Sequence, residues 1–379
     1  MLLDYETLRV LWWVLLGAFL IGFAIVDGVD LGAAMLLPWV ADTDSERQAL
    51  IDSMDPVWEG NQVWFVLGGC AAFAAWPALY ATAFSGFYIA MFLVLVTLIL
   101  RPVGFKFRNE VEDPRRRSAW DWALFVGGFV PALIFGVAVG NALQGVPFHF
   151  DETHKAVYDG GFLGLLNPFA LMTGVLAVVM LTMHGGVYLA VKTEGVLARR
   201  ASRIAAGAAI VLVALFALAG LWAGFGVDGY RIIEGATPDG PSNPLAKQVA
   251  VVPVEWFHNY ITRPFALLGS ALGLIAPIMA IGLLYLGMEG AAFVASSAAV
   301  AGVVAAPGLA MFPFILPSST RPDHSLTVWD SSSSQSTLLI MLVATAVLMP
   351  IGIAFTTWAF RVRRGKLTEA EVEEGESPH

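Results

Sequence analysis

Long stretches of the chain hold almost no polar side chains, and they recur with shorter polar connections between them. A helix rises 1.5 Å per residue, so about 20 apolar residues are needed to cross roughly 30 Å of hydrocarbon. The pattern predicts nine such helices, near 8–37, 56–77, 80–101, 120–143, 163–191, 203–225, 263–285, 290–312 and 336–361, with boundaries placed to about four residues. The fold class that follows is an all-α integral membrane protein forming one polytopic domain. Within it the expected division is a four-helix bundle over 1–143, a second over 163–312, a peripheral ninth helix at 336–361 and a tail at 362–379. A faint internal echo supports two halves: Gly17…Asp27-Gly28 matches Gly174…His184-Gly185 at an offset of 157 residues, though matched glycines weigh little in a chain with 38 of them.

Composition sharpens this picture. The chain is 58% hydrophobic and 13% charged, with a mean hydropathy of +0.73, whereas soluble domains carry about 25% charged residues. A water-soluble enzyme is excluded. Cys70 is the single cysteine, so neither an intrachain disulfide nor a thiolate-held cluster can form within the chain. The first apolar run follows Asp4, Glu6 and Arg9 and continues well past a signal-peptide core, so helix 1 is expected to be retained. The net charge of −9 argues against a nucleic-acid partner, and the acidic run Glu369-Ala370-Glu371-Val372-Glu373-Glu374 reads as a solvated end.

Basic residues set the expected orientation, because Lys and Arg accumulate on the cytoplasmic side. With nine spans, fifteen of the 21 basic residues fall in one set of connections: Arg47, the group from Arg101 to Arg117, the group from Lys192 to Arg203, and the group from Arg361 to Lys366. This places the N-terminus outside and the C-terminus in the cytoplasm. Eight spans would destroy that consistency. The outer connections, 145–161, 227–262 and 317–334, are longer and rich in turn formers, and none has the look of a catalytic domain.

Acids inside such helices are costly and are functional candidates by default. Asp27 and Asp30 lie three residues apart, hence on one helical face. At the same end, Arg101 closes helix 3, Asp121 opens helix 4 between Trp120 and Trp122, and Glu59 opens helix 2. Two readings stay open: Arg101 neutralises one carboxylate while the others reach headgroup water, or the acids form a proton-uptake cluster. Trp58 and Trp64, flanking the polar stretch Glu59-Gly60-Asn61-Gln62, are either interfacial anchors or part of that site. Of six histidines, only His184 falls well inside a predicted helix, too few for a low-spin haem that needs two axial ligands. No metal ligand set, nucleophile or general base is assigned to this chain. Any haem is expected on another subunit.

Several motifs run in a fixed order and spacing: Asp4-Tyr5-Glu6…Leu8-Arg9…Trp12-Trp13, Ile21-Gly22-Phe23-Ala24…Asp27-Gly28…Asp30 and Trp58-Glu59-Gly60-Asn61-Gln62-Val63-Trp64. Phe73-Ala74-Ala75-Trp76-Pro77, Arg101-Pro102-Val103-Gly104-Phe105, Leu166-Asn167-Pro168-Phe169 and Leu326-Thr327-Val328-Trp329-Asp330 continue the set along nearly the whole chain. Together they resemble subunit II of the cytochrome bd quinol oxidases. The stretch near 232–255 and the acidic tail carry little of it.

The resemblance implies a bacterial inner-membrane oxidase that takes electrons from quinol and reduces dioxygen to water, with protons drawn from the cytoplasm. It implies two b-type haems and one d-type haem held by subunit I, a small single-helix accessory subunit in some complexes, and in some members a structural quinone in subunit II. By position it implies that Glu59 and Asp30, with Asp27 and Asp121 nearby, line a proton route and that Trp64 lies on an oxygen route. The family often has aspartate where this chain has Glu59, which leaves the details of the route open. Two rivals remain at this stage: a secondary transporter, whose acids would sit at midplane on broken helices, and a purely architectural subunit.

Overall fold

A computed structural model of the chain describes residues 3–54, 58–108, 110–362 and 365–366, with the side chains of residues 59, 359, 360 and 362 outside that description. In chain order the elements are α1 (Tyr5–Val40), α2 (Asp44–Met54), α3 (Trp58–Ala75), α4 (Pro77–Gly86), α5 (Tyr88–Phe107), α6 (Pro114–Gln144), β1 (Phe148–Phe150), β2 (Ala156–Tyr158), α7 (Pro168–Lys192), α8 (Gly195–Phe225), β3 (Gly229–Glu234), β4 (Gln248–Val252), α9 (His258–Thr262), α10 (Leu267–Tyr285), α11 (Glu289–Met311), β5 (Phe314–Leu316), β6 (Leu326–Thr327) and α12 (Gln335–Val362). Among the described residues, eight of these helices are each long and apolar enough to cross a membrane, and the α3–α4 pair, bent by 119°, brings the count to nine when it is read as one span.

Contacts at its two ends show that α3 makes the crossing. Near its start, Asn61 bonds to Asp30 in the second half of α1. At its finish, the Ala74 and Ala75 carbonyls accept from the hydroxyl and amide of Ser333, beside the N-terminal end of α1. The turn into α4 falls at Trp76-Pro77: a proline at the first helical position holds the preceding residue out of the α region, and Trp76 has ψ 76°. The expected helix at 80–101 is therefore corrected. Residues 77–86 form a separate short helix, and the span is α5, eight residues later.

The other boundaries shift for local reasons. Helix α6 starts at Pro114 rather than near 120, because Asp113 caps it by accepting from the Arg115 amide and three arginines continue the helix beyond the apolar segment. Helix α8 likewise starts at Gly195 and carries Arg199, Arg200 and Arg203 in its first turns. Helix α7 starts at Pro168, capped by Asn167, which accepts from the Ala170 amide. Helix α10 starts at Leu267, after a short 3₁₀ turn.

All the spans alternate, so the molecule has two distinct ends. One, the hairpin face, holds the N-terminal end of α1 and three two-stranded antiparallel ribbons, β1–β2, β3–β4 and β5–β6. The other, the arginine face, holds α2 and the basic ends of α5, α6 and α8. Helix α1 is the hub, packing against α3, α6, α7 and α11; α7 packs on α6, α8 and α11, while α5 lies on α6 and α10 on α11. Helix α12 touches only α1 and α3 among its stronger neighbours.

The central α1–α7 crossing is built from glycine. A Cβ on Gly32 would lie 2.1 Å from the Leu181 carbonyl oxygen, and one on Gly185 would lie 2.4 Å from the backbone of Gly32. No side chain fits there, which lets the two backbones touch.

Candidate functional site

The acids of the first helix sit at this close-packed hub. Asp27 and Asp30 are both 0% exposed. Asp27 meets Arg101 of α5 in a two-pronged pair, Nη1 to Oδ1 and Nη2 to Oδ2, each 3.1 Å, and Arg101 is itself fully buried. Planar guanidinium and carboxylate match in this geometry, and each removes the other's uncompensated charge. The close approach of α5 and α6 that holds Arg101 there depends on Gly127, whose Cβ would lie 3.0 Å from Arg101 Cγ.

Asp30 is treated differently. Its Oδ2 accepts from the Asn61 amide at 2.7 Å, while Oδ1 is buried with no hydrogen-bond partner among the described residues. Buried polar atoms are nearly always bonded, and a side-chain exception needs a reason such as a role in chemistry or a group that arrives from elsewhere. Glu59 lies two residues before Asn61 on the same helix, but its side chain lies outside the described residues. Tyr188 of α7, also buried, donates to the Ser53 carbonyl of α2 at 3.2 Å and so ties the hub to the arginine face.

Asp121 belongs to a second cluster. Arg108 Nε donates to its Oδ1 at 2.6 Å and Arg47 Nη1 to its Oδ2 at 3.1 Å. Arg108 also reaches Gln48 at 3.0 Å and Asp44 at 2.6 Å, and Arg117 shares Asp44 at 2.6 Å. These charges hold the carboxyl of Asp44 below the usual carboxylate range, against the opposing effect of its partial burial. Arg101 and Arg108 are seven residues apart on the α5 strand of chain, about 10 Å along a helix axis, so Asp121 stands apart from the Asp27–Asp30 level. Trp64 lies one turn beyond Asn61 and covers Gly22 of α1, where a Cβ would come within 2.4 Å of the indole.

Sequence reasoning gathered Asp27, Asp30, Arg101, Asp121 and Glu59 at one end; the structure brings Asp27, Asp30 and Arg101 together, corrects the placing of Asp121, which pairs instead with Arg108 and Arg47, and leaves the Glu59 side chain outside the described residues. Asn61, Arg108 and Tyr188 were given no role. Asn61 was visible as an amide in an apolar helix start. Tyr188 and Arg108 gave no local signal, because the Tyr188 partner and two of the three Arg108 partners lie on α2, which the apolar pattern does not predict. His184 is also fully buried: Nδ1 lies 2.9 Å from Ser296 Oγ, Nε2 lies 3.0 Å from the Ile25 carbonyl, and the ring stacks on Phe293 at 5.2 Å. With both nitrogens engaged, this imidazole does not fit a haem ligand. No group of three or more His, Cys, Asp or Glu is placed to hold a metal ion among the described residues.

The sequence profile of a family described as cytochrome bd terminal oxidase subunit II matches residues 8–363. The chain belongs to that family. This subunit II is 45% identical over 372 residues to the cytochrome bd-I ubiquinol oxidase subunit 2 of Escherichia coli K12, covering 98% of each chain. It is 45% identical to a probable cytochrome oxidase subunit 2 of Haemophilus influenzae, with 97% of each covered, and 29% identical to the cytochrome bd ubiquinol oxidase subunit 2 of Bacillus subtilis, with 96% and 98% covered. A chain of the bd oxidase structure from Geobacillus thermodenitrificans superposes with a TM-score of 0.64 at 17% identity, covering 94% of this chain and 98% of that one, which supports the shared fold. These findings support the oxidase-subunit reading rather than the transporter.

Proposed function

We propose that this chain is the haem-free companion in a bacterial quinol:oxygen oxidoreductase and that its own contribution is to carry protons from the cytoplasm toward the haems of subunit I. The observation that carries this reading is the contrast inside α1: Asp27 is neutralised by Arg101, and Asp30 keeps one buried oxygen without a partner among the described residues. The complex moves electrons from quinol to dioxygen, and each electron brought into a low-dielectric interior must be balanced by a proton. Asp30 receives that proton on Oδ1, Asn61 fixes the carboxyl orientation through Oδ2, and Glu59 is the next acid along α3. Asp27 with Arg101 supplies a fixed, internally balanced dipole beside them. Asp121, saturated by Arg108 and Arg47, anchors the mouth of the route.

The arginine face is cytoplasmic on this reading, since Lys and Arg gather on that side, which puts the N-terminus and the three ribbons outside. The hub helices α1, α3, α5 and α6 form one four-helix unit, α7, α8, α10 and α11 a second, and α12 is peripheral. Two b-type haems and one d-type haem, as the resemblance implies, belong to subunit I; the engagement of both His184 nitrogens in this chain fits that division. Trp64, packed on Gly22, lines the oxygen route.

Glu59→Gln in the purified two-subunit oxidase tests the route. Oxygen consumption is expected to fall about a hundred-fold, the size associated with one positioned proton-transfer group, with the haem spectrum unchanged. Loss of haem together with activity, or full turnover, contradicts the assignment.

A further inference from the structure

On the hairpin face, a cavity of about 350 Å³ opens where α11 ends and the segment leading into α10 begins. Its charged lining consists of Arg231, Glu255, Arg263 and, when protonated, His258. Glu255 is taken in a two-pronged pair by Arg231, through Nε at 2.9 Å and through Nη2. Arg263 is left as a surplus cation: no carboxylate lies within ion-pair distance of it among the described residues. It is held in place nevertheless. Asn259 donates to the carbonyls of Ala310 at 2.7 Å and Phe312 at 2.6 Å, capping the end of α11, and turns its Oδ1 to Arg263 Nη1 at 3.3 Å. The guanidinium also lies over the Phe312 ring, 4.6 Å from its centroid.

The segment that carries this cation also exposes apolar side chains: Ile261 is 78% exposed, Phe265 59% and Leu268 65%, all on the chain that runs from α9 into the membrane helix α10. A fixed guanidinium at the entry to a membrane helix, on a segment that exposes aliphatic and aromatic side chains, matches a molecule with an anionic head and hydrocarbon tails. We infer that the cavity binds the phosphodiester headgroup of one anionic phospholipid, with Arg263 as its anchor and its acyl chains along Ile261, Phe265 and Leu268. Arg is suited to this because its planar fork can donate two bonds to one phosphate, and the stack on Phe312 and the bond it donates to Asn259 Oδ1 reduce the rotamer freedom lost on binding.

The test uses the intact two-subunit oxidase, delipidated in neutral detergent and returned to phosphatidylglycerol, to phosphatidylcholine or to inorganic phosphate alone. Native mass spectrometry is expected to show one phosphatidylglycerol fewer on Arg263→Gln than on wild type, with an apparent affinity about five-fold weaker, the size of one basic side chain near an anionic lipid surface. Phosphatidylcholine and inorganic phosphate should not occupy the site. On the unmutated complex, a photoactivatable phosphatidylglycerol should label the 255–268 segment, a readout that does not depend on the variant assembling. Equal lipid retention in the variant, binding of phosphate alone, a quinone retained by wild type and lost by the variant, or labelling confined to other segments would each overturn the inference.

Discussion

Asp27 and Asp30 stand one helical turn apart, equally buried, and the protein handles them in opposite ways. Asp27 receives both prongs of Arg101. Asp30 receives one amide from Asn61 and is left with an oxygen that no described group satisfies. Burial alone therefore does not separate the two acids. Their donors do: both oxygens of Asp27 face a guanidinium, and one oxygen of Asp30 has no donor among the described residues, which leaves it able to meet a proton or a group that comes and goes. The same contrast separates Asp30 from Asp121, which two arginines share at the arginine face.

The strongest way to break this comparison is to remove the cation from the satisfied acid. Arg101→Leu strands Asp27 in a dry interior, and losing one partner of a buried pair costs about 3–5 kcal/mol. The assembled oxidase should become scarce in membranes, as read from its haem spectrum, and the double change Arg101→Leu with Asp27→Leu should restore much of it. Normal assembly of the single variant would show that the pair does not hold the hub together.

A smaller effect is expected at the glycine crossing beneath the acids. Gly185→Ala forces a methyl against the Gly32 backbone, where no side chain can move aside, and overpacking of this kind costs about 1–3 kcal/mol. Its thermal midpoint should drop below that of Gly290→Ala, a helical position with nothing within 4 Å of the new methyl. Equal midpoints would remove the close approach of α1 and α7 from the account.

The smallest effect lies on the hairpin face, away from the acids. The Phe150 amide donates to His324 Nδ1 at 2.9 Å, which needs that nitrogen unprotonated. Burial, aided by the nearby Arg321, holds this imidazole below the ordinary histidine value of 6.5. The unfolded segment thus binds the proton more readily than the folded one, so local stability is present above that value and is lost as pH falls below it. Intrinsic-rate-corrected amide exchange at Phe150 should lose protection on acidification while α1 keeps its own. A flat pH response would show that the bond to His324 does not hold the loop.

Much of this was legible along the chain, for a plain reason. Apolar runs longer than a bilayer leave little choice but a helix, so α1, α11 and α12 fall within three residues of their expected ends. The break near Trp76-Pro77 was expected, between 77 and 80, and the proline marks it; the second break, at Phe87 between α4 and α5, lies inside continuous hydropathy with no proline to signal it. Helix α2 escaped notice because its 11 residues are mainly polar and it lies on the arginine face, not across the membrane. At the site, the spacing of Asp27 and Asp30 was readable. Which of them Arg101 would choose was not, since that depends on how α5 packs against α6 through Gly127. The two nitrogen partners of His184, from α11 and from the backbone of α1, were equally beyond local reading.

Proton uptake by the fully reduced two-subunit oxidase, followed with a pH indicator after mixing with oxygen, bears most directly on the role of Asp30. With Asp30→Asn, which keeps the size and the Asn61 contact but cannot exchange a proton, uptake should slow about a hundred-fold while haem content stays that of wild type. Uptake at the wild-type rate in that variant would contradict the account.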